Sequence, residues 1–118
     1  MQLSNNFTSE EFTCKCGCGF DRIDIELVYV LQRLRDHLGK GVRVDSGCRC
    51  KEWNKKVGGV DTSQHLLGTA SDIVIEGVEP KLVYEALDRW YPKSYGIGLY
   101  PSFVHIDIRS NKARWDFS

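Results

Sequence analysis

Two of the three histidines in this 118-residue chain lie in segments rich in potential metal ligands. His65 precedes Asp72 by seven residues in SQHLLGTASD, and His105 lies further along the chain in FVHIDIR. A catalytic zinc ion takes three protein ligands of the His, Asp, Glu or Cys type and leaves a fourth position for water. We therefore predict that His65, Asp72 and His105 bind a metal ion. The alternative is that all three are ordinary polar residues of a loop and a solvent-facing strand.

The segment FVHIDIR has the alternation of a β-strand, in which successive side chains point to opposite faces. One face is apolar and would pack in the core. The other face carries Phe103, His105, Asp107 and Arg109. The third histidine, His37, has a simpler explanation, because it lies on the polar side of a predicted helix near its C-terminal end.

Helical periodicity is clearest over residues 24–38, where leucines recur at the spacing of one helical face and Gly39 supplies a stop. The inward positions are Leu27, Leu31, Leu34 and Leu38. A short first helix is predicted at TSEEF, with Thr8 or Ser9 as the N-cap. A second short helix is predicted in CKEWNKKVGG, and a longer one begins at Pro80. The inward positions of this last helix are predicted to be Leu82, Ala86, Leu87 and Trp90.

Four strands are predicted at 42–46, 70–77, 96–100 and 103–109, and the last two form an antiparallel hairpin through Pro101-Ser102. Gly68 and Ala70 would let the backbone turn tightly between His65 and Asp72. The order of helices and strands indicates an α+β fold with a small, largely antiparallel sheet flanked by helices. We expect residues 1–118 to form a single domain.

Composition limits the classes of partner. The 16 basic residues balance 16 acidic ones, so the chain lacks the positive charge that nucleic acids and anionic membranes attract. No apolar stretch approaches the length of a membrane span. The first residues, MQLSNNFTSEEF, do not resemble a signal peptide, so we expect synthesis in the cytoplasm. We also expect a monomer.

Five cysteines form two clusters, with Cys14, Cys16 and Cys18 in CKCGCG and Cys48 and Cys50 in GCRC. Clustered cysteines in a cytoplasmic product suggest metal or redox chemistry. However, the C-x-C spacing differs from the C-x2-C of ordinary zinc knuckles. The sequence leaves open a disulfide, a metal clip between the clusters, or free thiols.

The segment SQHLLGTASD fits the pattern S-x-H-x-x-G-x-A-x-D and, together with VHIDIR, resembles the D-alanyl-D-alanine carboxypeptidase family of zinc peptidases. The likeness extends to EFTCKCGCG, VDSGCRCKEWNKKVGG, GIGLY and KARW, which look like the small single-domain branch of phages and bacteria. That family includes phage endolysins that cut L-alanyl-D-glutamate links. The resemblance implies a hedgehog/D-Ala-D-Ala-peptidase-like fold, zinc as cofactor, and a peptidoglycan stem peptide as substrate. It also implies action on the cell wall, which a chain made in the cytoplasm without a signal peptide would reach by another exit, such as lysis.

The resemblance implies roles for individual residues. The family's zinc ligands match His65, Asp72 and His105, the ligand set already proposed. Arg49 in SGCRC matches an arginine that contacts the substrate carbonyl or carboxylate, and Ser63 lies two residues before the first ligand at a substrate-binding position.

The chain departs from the family where many relatives place a general base three residues before the last ligand. Ser102 occupies that position and Phe103 follows it, and neither side chain can accept a proton as a base. The remaining carboxylate is Asp107, which would act as the base or orient a zinc ligand.

Two rival hypotheses stay open on the sequence. The first is a zinc-binding module of the same fold without catalytic activity, which Ser102 and Phe103 favour because neither can serve as the base. The second is a cysteine hydrolase that uses Cys48 or Cys50, although nothing in the sequence near them indicates an activated thiol.

Overall fold

A five-stranded sheet forms the centre of the fold in a computed structural model that describes residues 1–60 and 62–118. The strands are β1 Val42–Ser46, β2 Ala70–Ile75, β3 Gly96–Leu99, β4 Val104–Asp107 and β5 Ala113–Asp116. Their spatial order is β1-β2-β4-β3-β5. Every neighbouring pair is antiparallel except β3 and β5, which are parallel. The predicted α+β fold with a largely antiparallel sheet is confirmed.

In the part of the chain that the structure describes, three α-helices and two 3-10 helices surround the sheet. The α-helices are α1 Ile25–Leu38, α2 Lys51–Lys56 and α3 Pro80–Trp90, and the 3-10 helices cover Ser9–Phe12 and Gln64–Leu67. Helix α1 begins where the Asp24 carboxylate accepts a hydrogen bond from the backbone N–H of Glu26, and it ends at Gly39 with φ of 63°. The predicted first helix is the Ser9–Phe12 turn, with Thr8 as its N-cap.

The hydrophobic core lies between one face of the sheet and helices α1 and α3. Buried side chains from both layers include Leu31, Leu34, Ile73, Leu87, Ile97 and Ile106. Since strand residues alternate between faces, Asp72 and His105 lie on the other face, opposite each other in register. Among the described residues, no helix is both long enough and apolar enough to cross a membrane.

One prediction about packing is wrong, and one strand was not predicted. Leu82 was predicted to face inward but is 58% exposed, because the buried stripe of α3 runs through Val83, Ala86 and Leu87, and Leu82 lies beside it. Strand β5 was not predicted. Its sequence ARWD is short, mixed in polarity and only partly buried, so it lacks the apolar alternation of a strand with one buried face.

Candidate metal centre

The three predicted ligands converge on the face of the sheet away from the core. Asp72 on β2 is paired with His105 on β4, and its Oδ1 atom is 3.0 Å from Nδ1 of His105. The same oxygen is 3.3 Å from Nε2 of His65. One ligand atom from each of the three residues lies within 4.8 Å of the others. The structure therefore brings His65, Asp72 and His105 together at a spacing that suits a single metal ion.

Each histidine is also held through its outer nitrogen. Nδ1 of His65 donates to the carbonyl oxygen of Gly47 at 2.6 Å, and Nε2 of His105 donates to Oδ2 of Asp107 at 2.7 Å. When each ring is neutral, the inner nitrogen therefore has a lone pair to offer a metal ion, as metal-binding histidines require. The donor set, two neutral imidazoles and a carboxylate, fits zinc.

The Gln64–Leu67 turn positions His65. The Ser63 hydroxyl accepts a hydrogen bond from the backbone N–H of His65 at 3.2 Å and caps the turn. At the other end, Gly68 adopts φ of 72°, and a Cβ there would lie 2.5 Å from the carbonyl oxygen of Arg22. The predicted tight turn before β2 is thus present and requires glycine at this position.

Asp107 lies beneath His105, with no exposed surface. Besides His105, its carboxylate accepts hydrogen bonds from Nε and Nη2 of Arg109 at 2.8 and 2.7 Å and from the backbone N–H groups of Gly96 and Arg109. Burial alone would raise the pKa of Asp107, but the hydrogen bonds from His105 and Arg109 outweigh it and lower the pKa to about 2. The carboxylate therefore stays ionised.

The electrostatics of the site favour a positive charge at its centre. Burial opposes ionisation of Asp72, yet hydrogen bonds from His105 and His65 hold its pKa well below the usual range. Burial likewise opposes protonation of His105, but Asp107 and Asp72 raise the pKa of His105. Two carboxylates thus flank this ring, and a bound metal cation would take the place of its proton.

Arg49 lies at the edge of the metal centre. Its Nη2 atom is 3.5 Å from Oδ2 of Asp72, and Nη1 donates to Oδ1 of Asn54 at 3.1 Å. The Asn54 amide is 3% exposed and donates in turn to the carbonyl oxygen of Val60 at 2.9 Å. Asn54 therefore connects the Arg49 guanidinium to the loop after α2 and limits its movement. Sequence reasoning missed it because a single Asn in a polar helix gives no signal.

A cleft of about 730 Å³ opens over the three predicted ligands. Its wall includes Arg49, Ser63, Tyr100, Phe103, Arg109 and Trp115. The rings of Tyr100 and Phe103 are stacked with centroids 4.3 Å apart, and Nε1 of Trp115 donates to the Tyr100 hydroxyl at 2.9 Å. Among the described residues that line the cleft, Asp72 is the sole carboxylate. Ser102 is exposed outside this wall.

Comparison with known families fits this geometry. A family model described as Peptidase M15 matches residues 5–107. The chain belongs to the peptidase M15 family. M15 peptidases are zinc-dependent, and the His/Asp/His cluster supplies a ligand set for such an ion. A search of curated proteins found no match.

The M15 assignment also bears on the cysteines, because a metallopeptidase needs no thiol nucleophile. Cys48 is buried, and its single S–H is shared between the carbonyl oxygens of Phe12 and Phe20, which lie 3.1 and 3.2 Å from the sulfur. Burial raises the pKa of Cys48 to about 11, so it stays a neutral thiol. These observations argue against the cysteine hydrolase hypothesis as far as Cys48 is concerned.

Proposed function

We propose that this M15 peptidase is a zinc enzyme that hydrolyses a peptide bond in the stem peptides of bacterial peptidoglycan. The observation that carries the proposal is the convergence of His65, Asp72 and His105 at the base of an open cleft, with Arg49 beside them. Both bonds suggested by the resemblance, the terminal D-Ala-D-Ala link and the internal L-Ala-D-Glu link, fit this description. Action on the cell wall belongs to the same proposal.

His65, Asp72 and His105 would hold the zinc ion. When bound, zinc supplies a water nucleophile at neutral pH and polarises a carbonyl oxygen. Arg49 would bind the substrate, because its guanidinium lies at the cleft beside Asp72 and can donate to the scissile carbonyl or to a peptide carboxylate. Ser63 would shape the same wall while capping the turn that carries His65.

Of the two roles predicted for Asp107, we propose that it orients a ligand. Both of its oxygen atoms accept hydrogen bonds, and the side chain has no exposed surface from which to reach a water molecule in the cleft. Asp107 therefore acts through His105 by fixing the tautomer and the ring plane.

A zinc-binding module without hydrolytic activity is the second candidate. The observation that favours it is the lack of a free carboxylate among the described residues lining the cleft, since Asp72 is committed to the two histidines. Such a module would bind zinc and a peptide through Arg49 but leave the peptide intact.

The deciding experiment measures zinc content and hydrolysis on the same preparation. Substrates are purified peptidoglycan, a stem peptide ending in D-Ala-D-Ala, and the same peptide without its final residue. We expect new termini to appear, to be lost on chelation and to return with zinc. Release of free D-alanine identifies a carboxypeptidase. New L-alanine carboxyl termini, together with D-glutamate amino termini, identify an endopeptidase.

Matched variants test the assignment of the ligands. His65→Ala should lose zinc and activity, whereas His37→Ala, on the exposed side of α1, should keep both. Stoichiometric zinc bound through His65 without cleavage of any substrate would favour the binding module. Hydrolysis that survives His65→Ala would contradict the proposal altogether.

A further inference from the structure

Four of the five cysteines form a second cluster, outside the cleft. The loop at residues 14–18 brings Cys14, Cys16 and Cys18 to Cys50, which precedes helix α2. One sulfur atom from each lies within 4.8 Å of the others, and all four thiols are free. Residues 36 positions apart in the chain thus meet at one point, so this arrangement depends on the tertiary fold.

The three spacings among the sulfurs of Cys14, Cys16 and Cys50 match those around a single tetrahedral ion, and the Cys18 sulfur lies within 4.8 Å of all three. Cys14 Sγ is 3.5 Å from Cys16 Sγ and 3.8 Å from Cys50 Sγ, and the last two sulfurs are 3.7 Å apart. A zinc–sulfur bond of about 2.3 Å gives a tetrahedron with edges of about 3.8 Å. Disulfide-bonded sulfurs would be about 2.05 Å apart. No disulfide is formed at these spacings, and the cluster suits a metal site with four cysteine ligands.

The surroundings support thiolate ligands. The backbone N–H of Cys50 donates to Cys14 Sγ at 3.4 Å, and the N–H of Trp53 donates to Cys50 Sγ at the same distance. Such hydrogen bonds stabilise negative charge on metal-bound sulfur. Cys48 points elsewhere, toward backbone carbonyls, which accounts for the odd number of cysteines.

We propose that Cys14, Cys16, Cys18 and Cys50 bind a second zinc ion, distinct from the one in the cleft. Four thiolates in a tetrahedron select zinc among the common divalent ions and leave no open position, which is typical of a structural site. The ion clips the N-terminal loop to the segment that carries Gly47 and Arg49. It thereby fixes the carbonyl that orients His65 and the backbone that positions the arginine.

The first test counts zinc in the full-length protein purified under reducing conditions. Wild type should bind two zinc ions per chain. The double variant His65→Ala/His105→Ala should keep one, and X-ray absorption at the zinc edge should show only sulfur neighbours at about 2.3 Å. Cys16→Ser/Cys18→Ser should lose the ion of the cysteine cluster and keep the one in the cleft, whereas Cys48→Ser should keep both.

Three results of the zinc measurements would overturn the proposal, and a fourth concerns the identity of the metal. They are no zinc in the double histidine variant, nitrogen or oxygen neighbours at about 2.0 Å around its remaining ion, and two zinc ions retained in Cys16→Ser/Cys18→Ser. Iron in place of zinc would also overturn it. The histidine variant leaves the cysteine cluster intact, so the test stands even if the cysteine variants do not fold. Hydrolysis is not a readout here, and failure of the proposed peptidase activity would leave the result unaffected.

Discussion

Replacement of Asp107 by Asn tests how the site controls the protonation of His105. The carboxylate accepts five hydrogen bonds from N–H groups, two at Oδ2 and three at Oδ1, so neither oxygen faces an acceptor. An Asn side chain must point its NH2 group at one of these two sets. The Oδ2 side is the less costly, because His105 can respond by moving its proton from Nε2 to Nδ1. That proton then occupies the nitrogen that faces Asp72 and that zinc requires.

The magnitude follows from these contacts. Loss of an orienting partner of this kind typically weakens metal binding by about 10- to 100-fold, or roughly 1.4–2.7 kcal/mol. Arg109 also loses an ionised partner, but its side chain is 34% exposed and water compensates in part. We therefore expect Asp107→Asn to lower the free energy of unfolding of the metal-free protein by about 2 kcal/mol.

The assay is competition for zinc against a chromophoric chelator, together with urea unfolding of the metal-free protein. Asp45→Asn is a matched control. Asp45 accepts a hydrogen bond at 2.6 Å from Arg43, which lies two residues away on the same strand, but this pair is on the exposed surface. It should change neither quantity by more than about 0.5 kcal/mol. Wild-type zinc affinity in Asp107→Asn would refute the orienting role. If hydrolysis were lost at the same time under saturating zinc, Asp107 would instead be the base.

Three further predictions concern neighbouring groups. Gly96→Ala would place a Cβ 2.5 Å from the Asp107 carboxylate, so it should cost about 1–3 kcal/mol of stability in urea unfolding and weaken zinc binding; Gly41→Ala, with no atom within 4 Å of the new Cβ, should do neither. Arg49→Lys should lower kcat/KM for stem peptides by about 100-fold with zinc content unchanged, and lost zinc would contradict a substrate-binding role. Because the pKa of Asp107 falls from 3.8 to about 2 on folding, its contribution to stability is present above pH 3.8 and is lost as the pH falls toward 2. Metal-free Asp107→Asn should lack this part of the acid dependence, and identical pH profiles would contradict the assignment.

The spacing of metal-ligating residues was enough to predict the metal site, but not its surroundings. Strand alternation placed His105 and Asp107 on one face, yet it did not reveal that Asp107 is fully covered. That burial depends on contacts across the sheet with Gly96 and on the Arg109 side chain folding back onto the carboxylate. Both are tertiary arrangements that local periodicity does not encode.

The cysteines illustrate the same limit more sharply. Neither cysteine segment contains all four ligands, so each alone gives a weak metal signal. Three of the ligands come from one loop, and the fourth comes from the start of α2. The fold brings the two segments together when Cys48 N–H donates to the Phe12 carbonyl at 3.0 Å, and Cys50 then reaches Cys14. Which cysteine stays outside the cluster depends on this pairing, so the sequence left the question open.

The three ligands of the cleft belong to parts of the fold with different mechanical support. Asp72 and His105 face each other across two inner strands, whereas His65 depends on a four-residue 3-10 turn held by Ser63, Gly47 and Gly68. Such a turn can open locally at far lower free energy than the sheet. Exchange of the bound zinc should therefore begin when the turn opens and His65 leaves the ion, which then stays bound to Asp72 and His105 on the strands. Zinc would enter and leave on the timescale of that opening, much faster than the whole molecule unfolds.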